Sequence, residues 1–328
     1  MKTGIIITYG PATDRDGVFE SMIKYVDMVR INMSHGDEKQ WAGFIKRIRD
    51  CEKSSRRKVK IIADLPGPKI RLSRMSKPIK LKKGHGAVLE YGKKGRGDWT
   101  LPMDYDLAPH VKKGNTIYIG DGRPMLMVES VEGKKIYCTT VEEGVASSNK
   151  GVSVMGMSTV SPPTKEDLKL AKLALRLKVD MFAISFIMDA ADIKKLRQVV
   201  GKIGIVAKIE RVAAMKNIDK IAEGADMLMV ARGDLAFDVG IEMVPVAQMR
   251  ILEACRKADK PGIVATQMLL SMVSSPIPTR AEVSDVGHAV MDGAKYVMLS
   301  DESAVGRYPL EAVRTMHQVI ANVCRFMK

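Results

Sequence analysis

In MVRINMSHG (28–36), Arg30, Asn32 and Ser34 are spaced two apart, so an extended chain turns all three to one face. AKIE (207–210) does the same with Lys208 and Glu210. Asp64 closes the apolar run KIIADL (60–65), and the break that follows, Leu65-Pro-Gly-Pro, leads directly to Lys69 and Arg71. Asp234 follows MLMVARG, Thr266 follows IVA, and YVMLS ends at Ser300 with Asp301 and Glu302 next. Charges on otherwise apolar strands are costly to bury unless paired or metal-bound. Their recurrence at the same end of several runs therefore marks a site. Two carboxylates, Glu210 and Asp234, with no His or Cys partner suit a hard ion: Mg²⁺, with Mn²⁺ as a substitute, completing its shell with substrate and water. Lys208, Arg30 and Arg71 bring positive charge to anionic substrate oxygens. Fixed cations and a metal around an anion are what phosphoryl transfer needs, because positioning and charge stabilisation do most of the work. The chain has neither a G-x-x-x-x-G-K-[ST] loop nor the protein-kinase motif set, so a phosphotransferase here belongs to another class.

The elements that position these residues are legible as alternation. Near-continuous apolar runs at 4–9, 28–33, 60–65, 181–186, 205–210, 227–232, 263–266 and 296–300 read as parallel strands buried on both faces. Stretches of helical periodicity such as DAADIKKLRQVV and VPVAQMRILEACRKA separate most of them. Eight such units, closed by a last helix at about 308–326, predict an α/β fold, a (β/α)8 TIM barrel, with the site at the C-terminal ends of its strands. A doubly wound open sheet is the alternative, but no G-x-G-x-x-G opens a helix after the first strand. Between the third and fourth runs the texture changes to short alternating segments broken by Gly and Pro, which predicts a small inserted antiparallel β domain. The expected division is a discontinuous barrel, 1–68 and 155–328, and a β-rich lid, 69–154. Insertions at this end of a barrel commonly become lids over active sites.

The 328 residues carry a formal charge of +15, which points to anionic partners. Aromatics are only 5%, and no aromatic-and-basic stripe suggests a base-stacking platform, so a dedicated nucleic-acid function is not expected. No run of about 18 apolar residues spans a membrane. The N-terminal apolar stretch is too short for a signal-peptide core, and Cys51, Cys138, Cys255 and Cys324 form no C-x-x-C pair; both predict a cytoplasmic protein.

Eight segments carry a family resemblance: TYGPAT (8–13), VRINMSHG (29–36), ADLPGPKIR (63–71), AKIE (207–210), MVARGDLA (229–236), ATQML (265–269), PTRAEVSDV (278–286) and VMLSDESAVGRYPLEAV (297–313). In these the sequence resembles pyruvate kinase, end to end and in family order. The resemblance implies a barrel with a β-barrel lid and transfer of phosphate from phosphoenolpyruvate to ADP. By this match Glu210 and Asp234 hold Mg²⁺, and Lys208 stabilises the phosphoryl group in flight. Arg30, Gly233, Asp234 and Thr266 contact substrate, Thr266 near the face where the enolate is protonated, while Ser300 and Glu302 belong to a proton relay. Arg30 and Arg71 grip phosphates, and Asn32, His35, Asp121 and Lys165 complete the nucleotide contacts. Asn32, Ser34, Asp64 and the carbonyl of Leu65 match the family's potassium site. Potassium-independent members carry Leu and Lys at the positions of Leu65 and Lys69, so the resemblance implies that the Lys69 ammonium replaces K⁺ and that K⁺ is not required.

Several residues depart from the family pattern. S-G-E-T is S-D-E-S here, with Asp301 beside the site; T-E-K-D is T-K-E-D at 164–167; and the lid's D-D-G is G-D-G, retaining only Asp121. After ARGDL, a Gly-Val-Glu becomes Ala236-Phe237-Asp238. The family's C-terminal allosteric domain has no counterpart before Lys328, from which a dimer without sugar-phosphate regulation is expected. The competing readings are an Mg²⁺-dependent aldolase-type lyase acting on pyruvate enolate and a weakly active binding protein. The inserted lid argues against the first, and the retained Lys208, Glu210, Asp234 and Thr266 against the second.

Overall fold

Strands here are short, largely apolar runs, each with a polar side chain at its end or just beyond it. A computed structural model of the chain describes residues 3–92, 99–120, 122–155, 157 and 160–327. Eight parallel strands close into a barrel: Gly4–Thr8, Met28–Asn32, Lys60–Asp64, Met181–Ile184, Gly204–Ile209, Met227–Ala231, Gly262–Ala265 and Tyr296–Leu299. Each strand pairs with its neighbours in sequence, and the first pairs with the eighth from Gly4↔Tyr296 to Ile7↔Leu299. These are the eight runs expected from the sequence, with boundaries moved by no more than two residues.

The barrel interior is filled by side chains, as such barrels require. Ile6, Ile62, Val206 and Ile263 share it with Met28, Met181, Met227, Met229 and Met298. Unbranched, polarisable methionine adapts to gaps between β-branched neighbours, which accounts for part of the chain's 23 methionines. The surrounding helices start at side-chain caps that satisfy otherwise unpaired N–H groups. Thr164, Asp189 and Thr279 each open a helix with a reciprocal capping box, at Lys165–Arg176, Ala190–Val200 and Arg280–Met291.

The chain divides into two compact units. The first comprises Met1–Gly67, Ser161–Arg232 and Val244–Lys328 and contains the barrel. The second comprises Pro68–Val160 and Gly233–Met243. It holds a six-stranded sheet in the order Val152–Val154, Thr116–Ile119, Met125–Glu132, Lys135–Glu142, Gly86–Tyr91, Thr100–Met103, and a separate pair, Gly144–Ala146 with Ile79–Leu81. Its own core includes Leu72, Leu89, Leu101, Ile117, Leu126 and Ile136, all essentially inaccessible. The sheet is antiparallel except where Gly86–Tyr91 pairs parallel with Thr100–Met103. Alternating apolar residues look the same in either direction, so sequence periodicity does not reveal that exception. The segment Gly233–Met243, which follows the sixth barrel strand, groups with this second unit.

Candidate active site

The strand ends of the first unit carry a buried, interlocked charge cluster. Arg30, the third residue of its strand, donates from Nε to Asp64 Oδ2 at 2.6 Å and from Nη1 to Thr8 Oγ1 at 3.1 Å. Lys208 and Glu210 share a face, as their spacing requires, and lie 3.1 Å apart, Nζ to Oε1. The same ammonium is 3.4 Å from Asp64 Oδ1 and donates to Ser185 Oγ at 2.7 Å. Ser185 passes the chain on by donating to the Leu65 carbonyl at 2.7 Å. The other oxygen of Glu210 accepts the backbone N–H of Phe186 at 2.6 Å. Both carboxylates are only 2% exposed, a burial that unpaired charges would not survive. Burial pushes the Asp64 carboxyl up, but Lys208 and Arg30 outweigh it and hold it below the usual carboxylate range.

The Leu-Pro-Gly-Pro break is explained at its glycine. Gly67 has φ +67°, and a Cβ there would lie 2.9 Å from that of Ser185. Its N–H donates to Asp167 Oδ1 at 2.9 Å, and Asp167 also closes the cap at Thr164. In T-K-E-D, therefore, the first and last residues are structural, while Lys165 stands exposed at the start of its helix.

A second group lies at the ends of strands seven and eight. Thr266 and Gln267 both adopt left-handed backbone conformations, φ +72° and +53°. Glu302, fully buried, accepts the N–H of Leu269 at 3.1 Å and that of Ser300 at 2.7 Å. Burial pushes its carboxyl up; these bonds pull it down by less, and Asp301 adds a smaller upward push. Asp301 itself is exposed. Sequence reasoning singled out neither Ser185 nor Arg232, whose guanidinium donates to the carbonyls of Ala265, Thr266 and Gln267. The signal for Ser185 was present, since it follows the fourth strand as Thr266 follows the seventh.

In the second unit Asp234 lies in the first turn of the helix Arg232–Val239 and takes Lys69 Nζ on both oxygens, at 2.8 and 3.1 Å. Gly233 immediately precedes it in that turn. Arg71 gives its N–H to Asp104 and its Nη1 to the Asn149 carbonyl. The departure at Phe237 has a physical account: its ring packs on Tyr118 at 5.2 Å, and Gly122, at φ +99°, leaves no room for a Cβ beside it. Asp121 lies outside the described residues.

The remaining expected contacts are mostly local. Asn32 Oδ1 accepts the Ser34 N–H at 3.1 Å, and His35 is exposed with its carbonyl held by Trp41. Lys69, expected to supply the charge of the family's potassium site, has its ammonium on Asp234, while Arg30 and Lys208 face Asp64. A proline-rich loop of this kind turns side chains in directions that sequence spacing does not encode.

Glu210 and Asp234 offer hard carboxylate oxygens, and each already faces a cation in the form of a lysine ammonium. That donor chemistry fits Mg²⁺. Among the described residues no group of three or more His, Cys, Asp or Glu is placed to hold a metal. Among the same residues no helix is long and apolar enough to cross a membrane.

Comparison with known proteins gives one family. Residues 1–313 match the family described as "Pyruvate kinase, barrel domain". A pyruvate kinase of Mycobacterium tuberculosis is 41% identical over 327 residues, covering 97% of this chain and 69% of the relative. Pyruvate kinases of Thermococcus litoralis and Clostridium acetobutylicum are each 38% identical, over 97% of this chain and 69% and 70% of their own lengths.

Proposed function

Because the chain belongs to the pyruvate kinase family, we propose a residue-level account of how its strand-end cluster carries the family's reaction. The protein is a phosphotransferase that moves phosphate from phosphoenolpyruvate to ADP, giving pyruvate and ATP. The observation supporting the assignment of roles is the Lys208 ammonium, held within 3.4 Å of Asp64, Glu210 and Ser185 at the mouth of the barrel.

Phosphoryl transfer spreads negative charge over the oxygens in flight, and a cation fixed beforehand costs no reorganisation when that charge develops. Lys208 is such a cation: three acceptors orient it. Arg30, locked on Asp64, presents its remaining guanidinium donors to substrate phosphate, and Arg71 is a further phosphate contact. Glu210 and Asp234 would hold Mg²⁺, which when bound supplies a Lewis acid for the substrate's carboxylate and enolate oxygens. As the phosphorus–oxygen bond of phosphoenolpyruvate breaks, the electron pair returns to the enolate, whose methylene carbon must gain a proton. Thr266 is assigned to that face, with Ser300 and the buried Glu302 carboxyl behind it as the relay. Residues 69–154 are assigned the role of lid. Activity without potassium is assigned to the Lys69 ammonium, standing in for the charge of a bound K⁺. The four free cysteines fit a reducing cytoplasm.

The test is the initial rate of pyruvate formation from phosphoenolpyruvate and ADP with Mg²⁺, in buffer free of potassium and ammonium. It is then repeated with KCl at constant ionic strength. Equal rates are expected. A rate that appears only with KCl would keep the enzyme and discard potassium independence.

A further inference from the structure

Two successive non-glycine residues in the left-handed region, one of them β-branched, are disfavoured by their own Cβ atoms and persist only where the surroundings over-determine them. Thr266 and Gln267 are such a pair, at φ +72° and +53°, directly after the seventh barrel strand. A side chain from the end of the sixth grips them. Arg232 Nε lies 3.3 Å from the carbonyl of Ala265 and 3.2 Å from that of Thr266; Nη2 donates to Thr266 at 2.7 Å and reaches Gln267 at 3.4 Å. Its remaining nitrogen, Nη1, donates to Asp285 Oδ1 at 2.8 Å, on the helix Arg280–Met291. The Arg232 side chain is 13% exposed and that of its partner Asp285 35%. From the other direction Glu302 accepts the N–H of Leu269.

Carbonyls that successively turn toward one point need a planar fork of donors, which arginine supplies and lysine does not. We propose that Arg232, aimed by Asp285, is a positioning residue for the phosphotransfer reaction: it holds the Thr266–Gln267 backbone in its strained conformation and thereby fixes where the Thr266 hydroxyl is presented. The inference rests on the assignment of Thr266 to the face where the enolate is protonated. Arg232 touches no reacting atom in this scheme, and its effect runs through the backbone of residues 265–267.

The decisive variant pair is Arg232→Lys with and without Gln267→Gly. Lysine keeps the charge and loses the fork, so kcat should fall at least ~10-fold, since small misplacements of a reacting group are expensive, while the KM for phosphoenolpyruvate moves less than about twofold. Glycine at 267 adopts positive φ without penalty and should therefore recover much of the lost kcat in the double variant. Asp285→Asn should show the same kcat-selective loss to a smaller degree. An unchanged kcat in Arg232→Lys would overturn the proposal, and so would a loss that Gln267→Gly does not repair while the thermal melt stays normal. Amide hydrogen exchange across 266–269 reads the clamp without turnover: protection should fall in Arg232→Lys and return in the double variant. If the unmodified protein made no pyruvate, the reaction assignment would fail, and exchange that was also indifferent to Arg232 would overturn the clamp separately.

Discussion

Two lysine–carboxylate pairs, one in each unit, have the same chemistry and opposite settings. Lys208–Glu210 in the barrel unit is 12% and 2% exposed and is held by Asp64, Ser185 and the Phe186 N–H. Lys69–Asp234 in the second unit is 27% and 23% exposed, and both carboxylate oxygens face the one ammonium. In the dry setting a charge cannot be removed without stranding its partner, so the pair is a fixed instrument of charge stabilisation. In the wetter setting water screens the pair and can replace either member. Asp234 is thus the carboxylate with the more replaceable partner, and Glu210 the one whose orientation is set in advance.

The sharpest way to break this contrast is Lys208→Met. It leaves Asp64 and Glu210 buried with one cation fewer, and stability should drop by roughly 3–5 kcal/mol in urea unfolding. Pyruvate formation should fall by about 10²–10³. A variant as stable as the parent would show that the barrel-mouth pair is not the rigid one. Asp234→Asn should separate the two properties. The Mg²⁺ concentration for half-maximal rate should rise about tenfold or more, while the unfolding free energy moves by less than about 1 kcal/mol. Chelation of the metal should abolish turnover in parent and variant alike.

Lys69→Glu sets two carboxylates side by side at Asp234. We expect monovalent-cation dependence to appear in a rate assay where the parent shows none; an unchanged response to KCl would remove Lys69 from the account of potassium independence. The smallest effect concerns Glu302, whose carboxyl burial holds above the ordinary Glu range. The native state therefore binds more protons than the unfolded chain from about pH 4.3 upward, and stability falls as pH rises toward the folded-state value. Glu302→Gln should flatten that slope in urea melts between about pH 4 and 7. Asp64 has the opposite sign: its depressed carboxyl keeps its contribution above the ordinary Asp range and loses it as pH falls through the lower folded-state value.

All eight barrel strands were legible because a strand buried on both faces must be apolar throughout, and a polar residue at its end is then conspicuous. Arg30, Asp64, Lys208 and Glu210 stood out for that reason, and the structure brings them into one cluster. Ser185 was missed although it follows MFAI as Thr266 follows IVA, because a serine, unlike a charge, costs little to place there and is the weaker signal. Arg232 was quoted within MVARGDLA, but no spacing rule relates it to carbonyls more than thirty residues later.

The sequence by itself determined periodicity, burial and sign of charge: eight apolar runs, an inserted segment of different texture, and carboxylates and cations gathered at one end of the strands. Those are local properties, and one-dimensional spacing carries them. Only the tertiary structure decided partnership. It paired Lys69 with Asp234 across 165 positions, gave Asp64 to Arg30 and Lys208, and set Arg232 against a strained backbone on the neighbouring strand. Partnership follows from barrel closure and loop direction, and the Coulomb and hydrogen-bond terms that choose among nearby groups act only once the fold has made them near.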